Sequence, residues 1–143
     1  IDHSIHLIVL DETARTAKDA ASSLNKEVGA IVKSLLFKNK ETNSYYLCLV
    51  SGDKYVDTNR ISELINRKIK KANADECKKF TGFSIGGVSP VAHDNIPTDI
   101  FIDENLKRFE FIYAAAGHPY VVFEISFIKL CEITKGKITN ITS

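Results

Sequence analysis

Residues 31–50 read IVKSLLFKNKETNSYYLCLV. Two apolar runs, Ile31 to Phe37 and Tyr45 to Val50, flank the polar stretch KNKETNS, and that order predicts a β-hairpin. Upstream, residues 5–10 (IHLIVL) predict a strand, and Ala14, Ala17, Ala21 and Leu24 recur at helical spacing behind a candidate N-cap at Thr13. Downstream, Ile61, Leu64, Ile65 and Ile69 mark an amphipathic helix starting near Asp57 or Thr58. A third, short helix is expected from Asn73, with Glu76 in the capping-box position and Gly82 as its stop. Strands follow at 99–103, 111–116 and 120–125, then a helix near 126–132 and a strand at 137–141. Hairpins recur and strands outnumber helices, so the expected class is α+β rather than a doubly wound sheet. The expected architecture is a single domain over residues 1–143, a mixed, mostly antiparallel sheet, curved or barrel-like, with flanking helices.

A chain of 143 residues has room for one such core and not for two comfortable ones. Nineteen basic residues against eighteen acidic ones exclude a polycationic nucleic-acid coat and an acidic tail. No apolar run nears the roughly 18 residues of a membrane span and no signal-peptide core opens the chain. No membrane partner is therefore expected, and the cysteine usage suits a reduced, cytoplasmic compartment. The cysteines Cys48, Cys77 and Cys131 are odd in number and lack CxxC spacing, which argues against both a disulfide framework and a zinc site. His3, His6 and His93 form no HExxH or comparable pattern, so no metal is expected.

Four segments could carry chemistry. Lys33 is the one charge within residues 30–37, and on a strand it shares a face with Ile31, Leu35 and Phe37. An ammonium there must snorkel to water, find a carboxylate or face a polar cavity, and an edge lysine reaching solvent is the commoner outcome. Ser34, on the opposite face, is by default a satisfied hydroxyl. In Ser84-Ile85-Gly86-Gly87-Val88-Ser89-Pro90, adjacent glycines permit close approach of the backbone to a ligand, and exposed N–H groups there can hold a carbonyl, an oxyanion or a phosphate. The segment is neither a Walker A loop nor a GxGxxG fingerprint, and a plain tight turn competes with any site. Ala114-Ala115-Ala116-Gly117-His118-Pro119 leaves room beside a strand and sets His118 in a turn, where an imidazole is an acid, a base or merely structural. Between Arg60 and Lys79 lie seven basic residues (Arg60, Arg67, Lys68, Lys70, Lys71, Lys78, Lys79) against Glu63, Asp75 and Glu76. Such a surface attracts a phosphate backbone or is simply a solvated face.

Taken in order, these segments resemble the YbaK/prolyl-tRNA-synthetase-associated family. The resemblance rests on Thr13-Ala14 with Ala20-Ala21, on residues 31–37, on Thr81 to Pro90 with His93 after it, and on Ala115-Ala116-Gly117-His118-Pro119 with Val122-Phe123. It spans about residues 13–138. It implies an editing domain acting in trans, without a cofactor. Such a domain hydrolyses the ester between a wrong amino acid and the terminal adenosine of a tRNA, often proline tRNA. Its partners would be the acceptor end of that tRNA and an aminoacyl-tRNA synthetase. The resemblance assigns catalysis to Lys33, Gly86 and Gly87: the lysine would position the terminal nucleotide through its phosphate, and the GxxxP loop from Gly86 to Pro90 would hold the substrate carbonyl. It assigns substrate binding to Ser34, Val88, Ser89, Pro90, Gly117 and His118, the last matching a histidine of some subgroups only. No Ser-His-Asp or Cys-His arrangement can be argued, which disfavours a covalent acyl-enzyme; the resemblance implies that the substrate's own ribose hydroxyl helps to activate the attacking water. The competing readings are a non-catalytic module that binds tRNA or a synthetase, and a hydrolase of another small acyl ester or thioester. The amino acid removed, the tRNA and the oligomeric state stay open at this point.

Overall fold

A computed structural model describes residues 6–10 and 16–143. The elements run β1 (His6–Val9), α1 (Ala17–Leu24), β2 (Val32–Asn39), β3 (Tyr45–Ser51), α2 (Thr58–Ile65), β4 (Ile69–Lys71), α3 (Ala74–Thr81), β5 (Asp99–Asp103), β6 (Phe111–His118), β7 (Val121–Ser126), α4 (Phe127–Thr134) and β8 (Lys137–Thr139). Short 3₁₀ turns stand at Val28–Ala30 and Glu104–Arg108.

The predicted hairpin is the spine of the larger sheet, ordered β4-β2-β3-β5-β8, with Val32 opposite Ser51 and Lys38 opposite Tyr45. β3 is buried along its whole length. Leu47 and Leu49 face one apolar cluster with Phe80, Ile102, Ile112 and Ile125, while Tyr46, Cys48 and Val50 face another with Ile61 and Phe101. Burial on both faces explains why residues 45–50 read as a continuous apolar run instead of an alternating one. Each fully buried leucine there contributes about 1.5–3 kcal/mol. β5 and β8 join in parallel, so their crossovers must pass through other elements: α2, β4 and α3 for the first, β6, β7 and α4 for the second.

The smaller sheet, β1-β7-β6, is antiparallel throughout. Among the described residues the two sheets meet through one bridge, Ile31 to Tyr113. The α+β class therefore holds, with the strands of the described residues in two sheets and not in a closed barrel.

Caps set most helix ends as their side chains dictate. The Asn73 side chain accepts from Glu76 N–H and the Glu76 carboxylate accepts from Asn73 N–H, the reciprocal box expected of that pair. Asp57 caps α2, and Gly82, at φ 84°, ends α3. Two expectations need correction. The first helix starts at Ala17 behind Thr16, whose hydroxyl accepts from Asp19 N–H at 3.1 Å; Thr13 and Ala14 lie outside the described residues, as do His3 and Ile5. Ile69 does not continue α2: Asn66 closes that helix in the left-handed region at φ 53°, and Ile69 begins β4 with its side chain buried and Lys70 and Lys71 exposed.

Candidate functional site

β4 pairs with β2 only from Phe37 to Asn39, and the bridge to the smaller sheet is made only at Ile31. Between these points, among the described residues, the edge of β2 has no partner strand, and it opens on a cavity of about 280 Å³ bounded on the other side by β6 and β7. Val32, Leu36, Ala72, Cys77 and Val88 make its apolar interior. The polar groups of its lining include Thr16 at the N-cap of α1, Lys33 and Ser34 from β2, Lys71 from β4 and the backbone of Gly86 from the glycine loop.

Among the described residues Lys33 pairs with no carboxylate. Its ammonium donates to the Lys54 carbonyl and lies 4.9 Å from the centre of the Tyr55 ring. Burial holds its pKa below the ordinary lysine value, with Asp53 and Asp103 acting in the opposite sense. The loop that seats it is braced from behind: Arg108 donates to both Asp53 oxygens, at 2.7 and 3.1 Å, and to Ser51 Oγ at 2.8 Å. Ser34 Oγ is buried on the cavity side with no hydrogen-bond partner among the described residues. Because it has no base beside it, it is not an activated nucleophile. Cys77 is no better placed, since burial pushes its thiol pKa up, away from the reactive thiolate.

The glycine loop folds as a turn in which Gly87 N–H donates to the Ser84 carbonyl at 2.9 Å. Gly86 takes φ 86°, a conformation that side chains disfavour, and a Cβ built on it meets nothing within 4 Å. Nothing among the described residues accepts from Gly86 N–H or Val88 N–H. Gly87 instead lies under the turn at 117–119, its would-be Cβ 3.0 Å from Pro119 Cδ and 3.1 Å from the His118 carbonyl carbon. The strand β6 is bulged between Ala115 and His118, with Gly117 at φ 94° against the Phe83 ring. That bulge turns His118 outward, where its Nδ1 accepts from Tyr120 N–H at 3.1 Å. The fold thus brings Lys33, Ser34, Gly86 and Val88 to one cavity, while Gly87, Ser89, Pro90, Gly117 and His118 stand behind or beside its lining.

His93 is the residue that sequence reasoning undervalued. Its Nε2 lies 2.6 Å from the Ser89 carbonyl, so that nitrogen carries the proton and donates. The ring stacks on Tyr45 with centroids 6.3 Å apart, and Tyr45 in turn stacks on Phe80 at 5.0 Å. Ala92, at φ 64°, reverses the chain to make this contact. The signal available was its position three residues after Pro90; its neighbour Asp94 suggested a loop instead. Burial holds the imidazole pKa below 6.5, with the Ser89 bond and Asp94 opposing. The unfolded chain therefore binds a proton that the folded chain refuses between pH 6.5 and the lower folded value, and stability falls as pH drops through that window. Melting temperatures measured from pH 8 to 5 are expected to decline below about pH 6.5. His93→Phe should flatten that decline while lowering the melting temperature at pH 8, because Ser89 loses its donor.

Among the described residues no group of His, Cys, Asp and Glu side chains converges as a metal site, and no helix is long and apolar enough to cross a membrane. Comparison with known proteins places this geometry. The aminoacyl-tRNA editing domain matches residues 11–131. The uncharacterized protein YwhH of Bacillus subtilis is 28% identical over 130 residues, covering 90% of this chain and 80% of that one. The proline–tRNA ligase of Fervidobacterium nodosum is 32% identical over 84 residues, which are 58% of this chain and only 14% of the ligase. A solved structure, described as a candidate trans-editing enzyme for prolyl tRNA synthetase, superposes with a TM-score of 0.91 at 33% identity, covering 97% of this chain and 87% of that one. A domain match over residues 11–131, with the same fold in that solved relative, establishes that the chain belongs to the aminoacyl-tRNA editing domain family.

Proposed function

We propose that the protein is a trans-acting deacylase that hydrolyses the ester of a mischarged tRNA, proline tRNA carrying alanine, cysteine, serine or threonine. The observation that carries this reading is the presence of Lys33 and the Gly86 turn in the lining of one largely apolar cavity. The ammonium of Lys33 binds a phosphate of the tRNA end, which leaves the aminoacyl group directed inward. A small side chain then occupies the space between Leu36, Ala72, Cys77 and Val88. Selection rests on the fit of that space, where one methylene is worth about 1–3 kcal/mol.

An aminoacyl ester is already activated and asks little of a catalyst beyond an oriented carbonyl, a water and stabilisation of the oxyanion. Gly86 N–H and Val88 N–H are the donors for that oxygen, flanking a Gly87 N–H that closes the turn. Water adds to the carbonyl carbon and gives up a proton through the neighbouring ribose hydroxyl. The ester C–O bond then breaks, and the departing ribose oxygen takes a proton to restore a free tRNA end. Ser89, Pro90 and His93 hold the loop; His118 and Gly117 shape the turn that Gly87 rests on. The synthetase for proline is the natural partner of such an activity, since it makes the substrates. Lys71, in the same lining, and the exposed Lys70 beside it offer charge to the adjoining backbone.

The test is a deacylation time course with proline tRNA charged separately with alanine, cysteine, serine and threonine, and with prolyl-tRNA as control. Selective loss of one or more wrong amino acids is expected. A folded protein that binds these tRNAs and turns over none of them would favour a recruiting module, and hydrolysis of a simple aminoacyl ester at the same rate would favour a tRNA-independent esterase.

A further inference from the structure

Tyr55 is 78% exposed, yet the loop that carries it is firmly held. Lys54 N–H donates to the Ser51 carbonyl at 3.0 Å, Ser51 Oγ donates to the Gly29 carbonyl, and Ser143 N–H donates to the Tyr55 carbonyl at 3.2 Å. The Arg108–Asp53 pair clamps the loop from the other side. A large aromatic ring on a rigid support, turned to solvent, gains nothing from the core. One of its faces lies over the Lys33 ammonium, inside the range of a cation–π contact. The other face is left open.

We propose that Tyr55 is the stacking platform for the unpaired terminal base of a nucleic-acid strand. The inference rests on the reading that a tRNA end enters the cavity at Lys33. A phosphate held by that ammonium leaves its own nucleoside next to the Tyr55 ring. An unpaired nucleobase has the flat π-face that an exposed tyrosine accepts, and every base has one, so this contact supplies affinity without reading sequence. Lys33 and Tyr55 then form one unit: the cation fixes the phosphate, orients the ring and raises the polarity of the stack. The contact lies outside the cavity, which keeps the interior free for the amino acid.

The test uses the trinucleotide CCA and the same trinucleotide with an abasic 3′ residue, titrated against wild type, Tyr55→Phe and Tyr55→Ala. Removing the base is expected to weaken binding to wild type and to Tyr55→Phe by about 5- to 100-fold, the range of one base–aromatic stack. In Tyr55→Ala the same removal should cost about twofold or less, because the partner is already gone. The proposal is overturned if Tyr55→Ala binds CCA as tightly as wild type. It is equally overturned if base removal costs all three proteins the same, or if wild type fails to bind CCA at millimolar concentration. The readout is binding, so it is independent of turnover. A coupling through Tyr55 in a protein that hydrolyses no mischarged tRNA would sink the deacylase reading and leave the platform standing.

Discussion

Lys33→Ala is expected to lower kcat/KM on a mischarged tRNA by about 100-fold or more, the usual consequence of deleting one preorganised electrostatic contact to a reacting substrate. The lysine sits at a site that costs it solvation, and burial, helped by the like charge of Lys71, depresses its pKa. A side chain held there by one carbonyl and one aromatic ring has charge to offer a phosphate, and gains more from it than a fully hydrated lysine would. Stability should barely change, since among the described residues the ammonium makes no buried ion pair, and β2 keeps its ladder with β3. Lys33→Met separates charge from volume: it keeps an unbranched aliphatic stem and loses the cation. Matching losses in the Ala and Met variants would assign the effect to charge. Lys33→Arg should recover part of the activity only, because a planar fork does not fit the seat formed by the Lys54 carbonyl and the Tyr55 ring. Unchanged hydrolysis by the Ala variant would remove Lys33 from the mechanism altogether.

The sequence carries its local physics openly. The hairpin at 31–50, the Asn73–Glu76 capping box and the stop at Gly82 all follow from rules that act within a few residues, and the structure has each of them. The basic stretch is divided: Arg60 pairs with Asp57 at 3.6 Å and Lys78 donates to the Gly82 carbonyl, whereas Lys70 and Lys71 project from the β4 edge. What the sequence conceals is long-range. Ile69 lies at a spacing that suits α2, and only the left-handed conformation of Asn66 reassigns it to a strand. The parallel pairings of β5 with β3 and β8 leave no mark in the hydrophobic pattern. The seat of Lys33 depends on a carbonyl 21 residues away, and the anchoring of the glycine loop on a histidine whose neighbours look like coil. The cavity is lined from both sheets, which are bridged between Ile31 and Tyr113, residues 82 positions apart in sequence.

Gly87→Ala is the second large expected effect, and it tests the loop without removing any donor. A methyl group at this position would stand 3.0 Å from Pro119 Cδ and from Pro119 N, and 3.1 Å from the His118 carbonyl carbon. Ring and backbone atoms cannot rotate away as a flexible side chain would, so the glycine loop and the turn at 117–119 must separate by a few tenths of an ångström. Gly86 and Val88 flank the substituted residue, and their N–H groups move with it. Misplacement on that scale should cost about tenfold in kcat, given that about 1 Å costs 100-fold. KM should change little, because Lys33 and the cavity interior are untouched. Gly86→Ala is the informative contrast: its Cβ meets nothing within 4 Å, but φ 86° is a left-handed conformation that costs a side chain about 1–2 kcal/mol. That variant should lose melting temperature first, whereas Gly87→Ala should lose turnover. Rate measurements at saturating substrate, set beside thermal melts, separate the two. If Gly87→Ala turns over as fast as wild type, the contact between loop and turn plays no part in holding the oxyanion donors, and the supporting role of Gly117 and His118 falls with it.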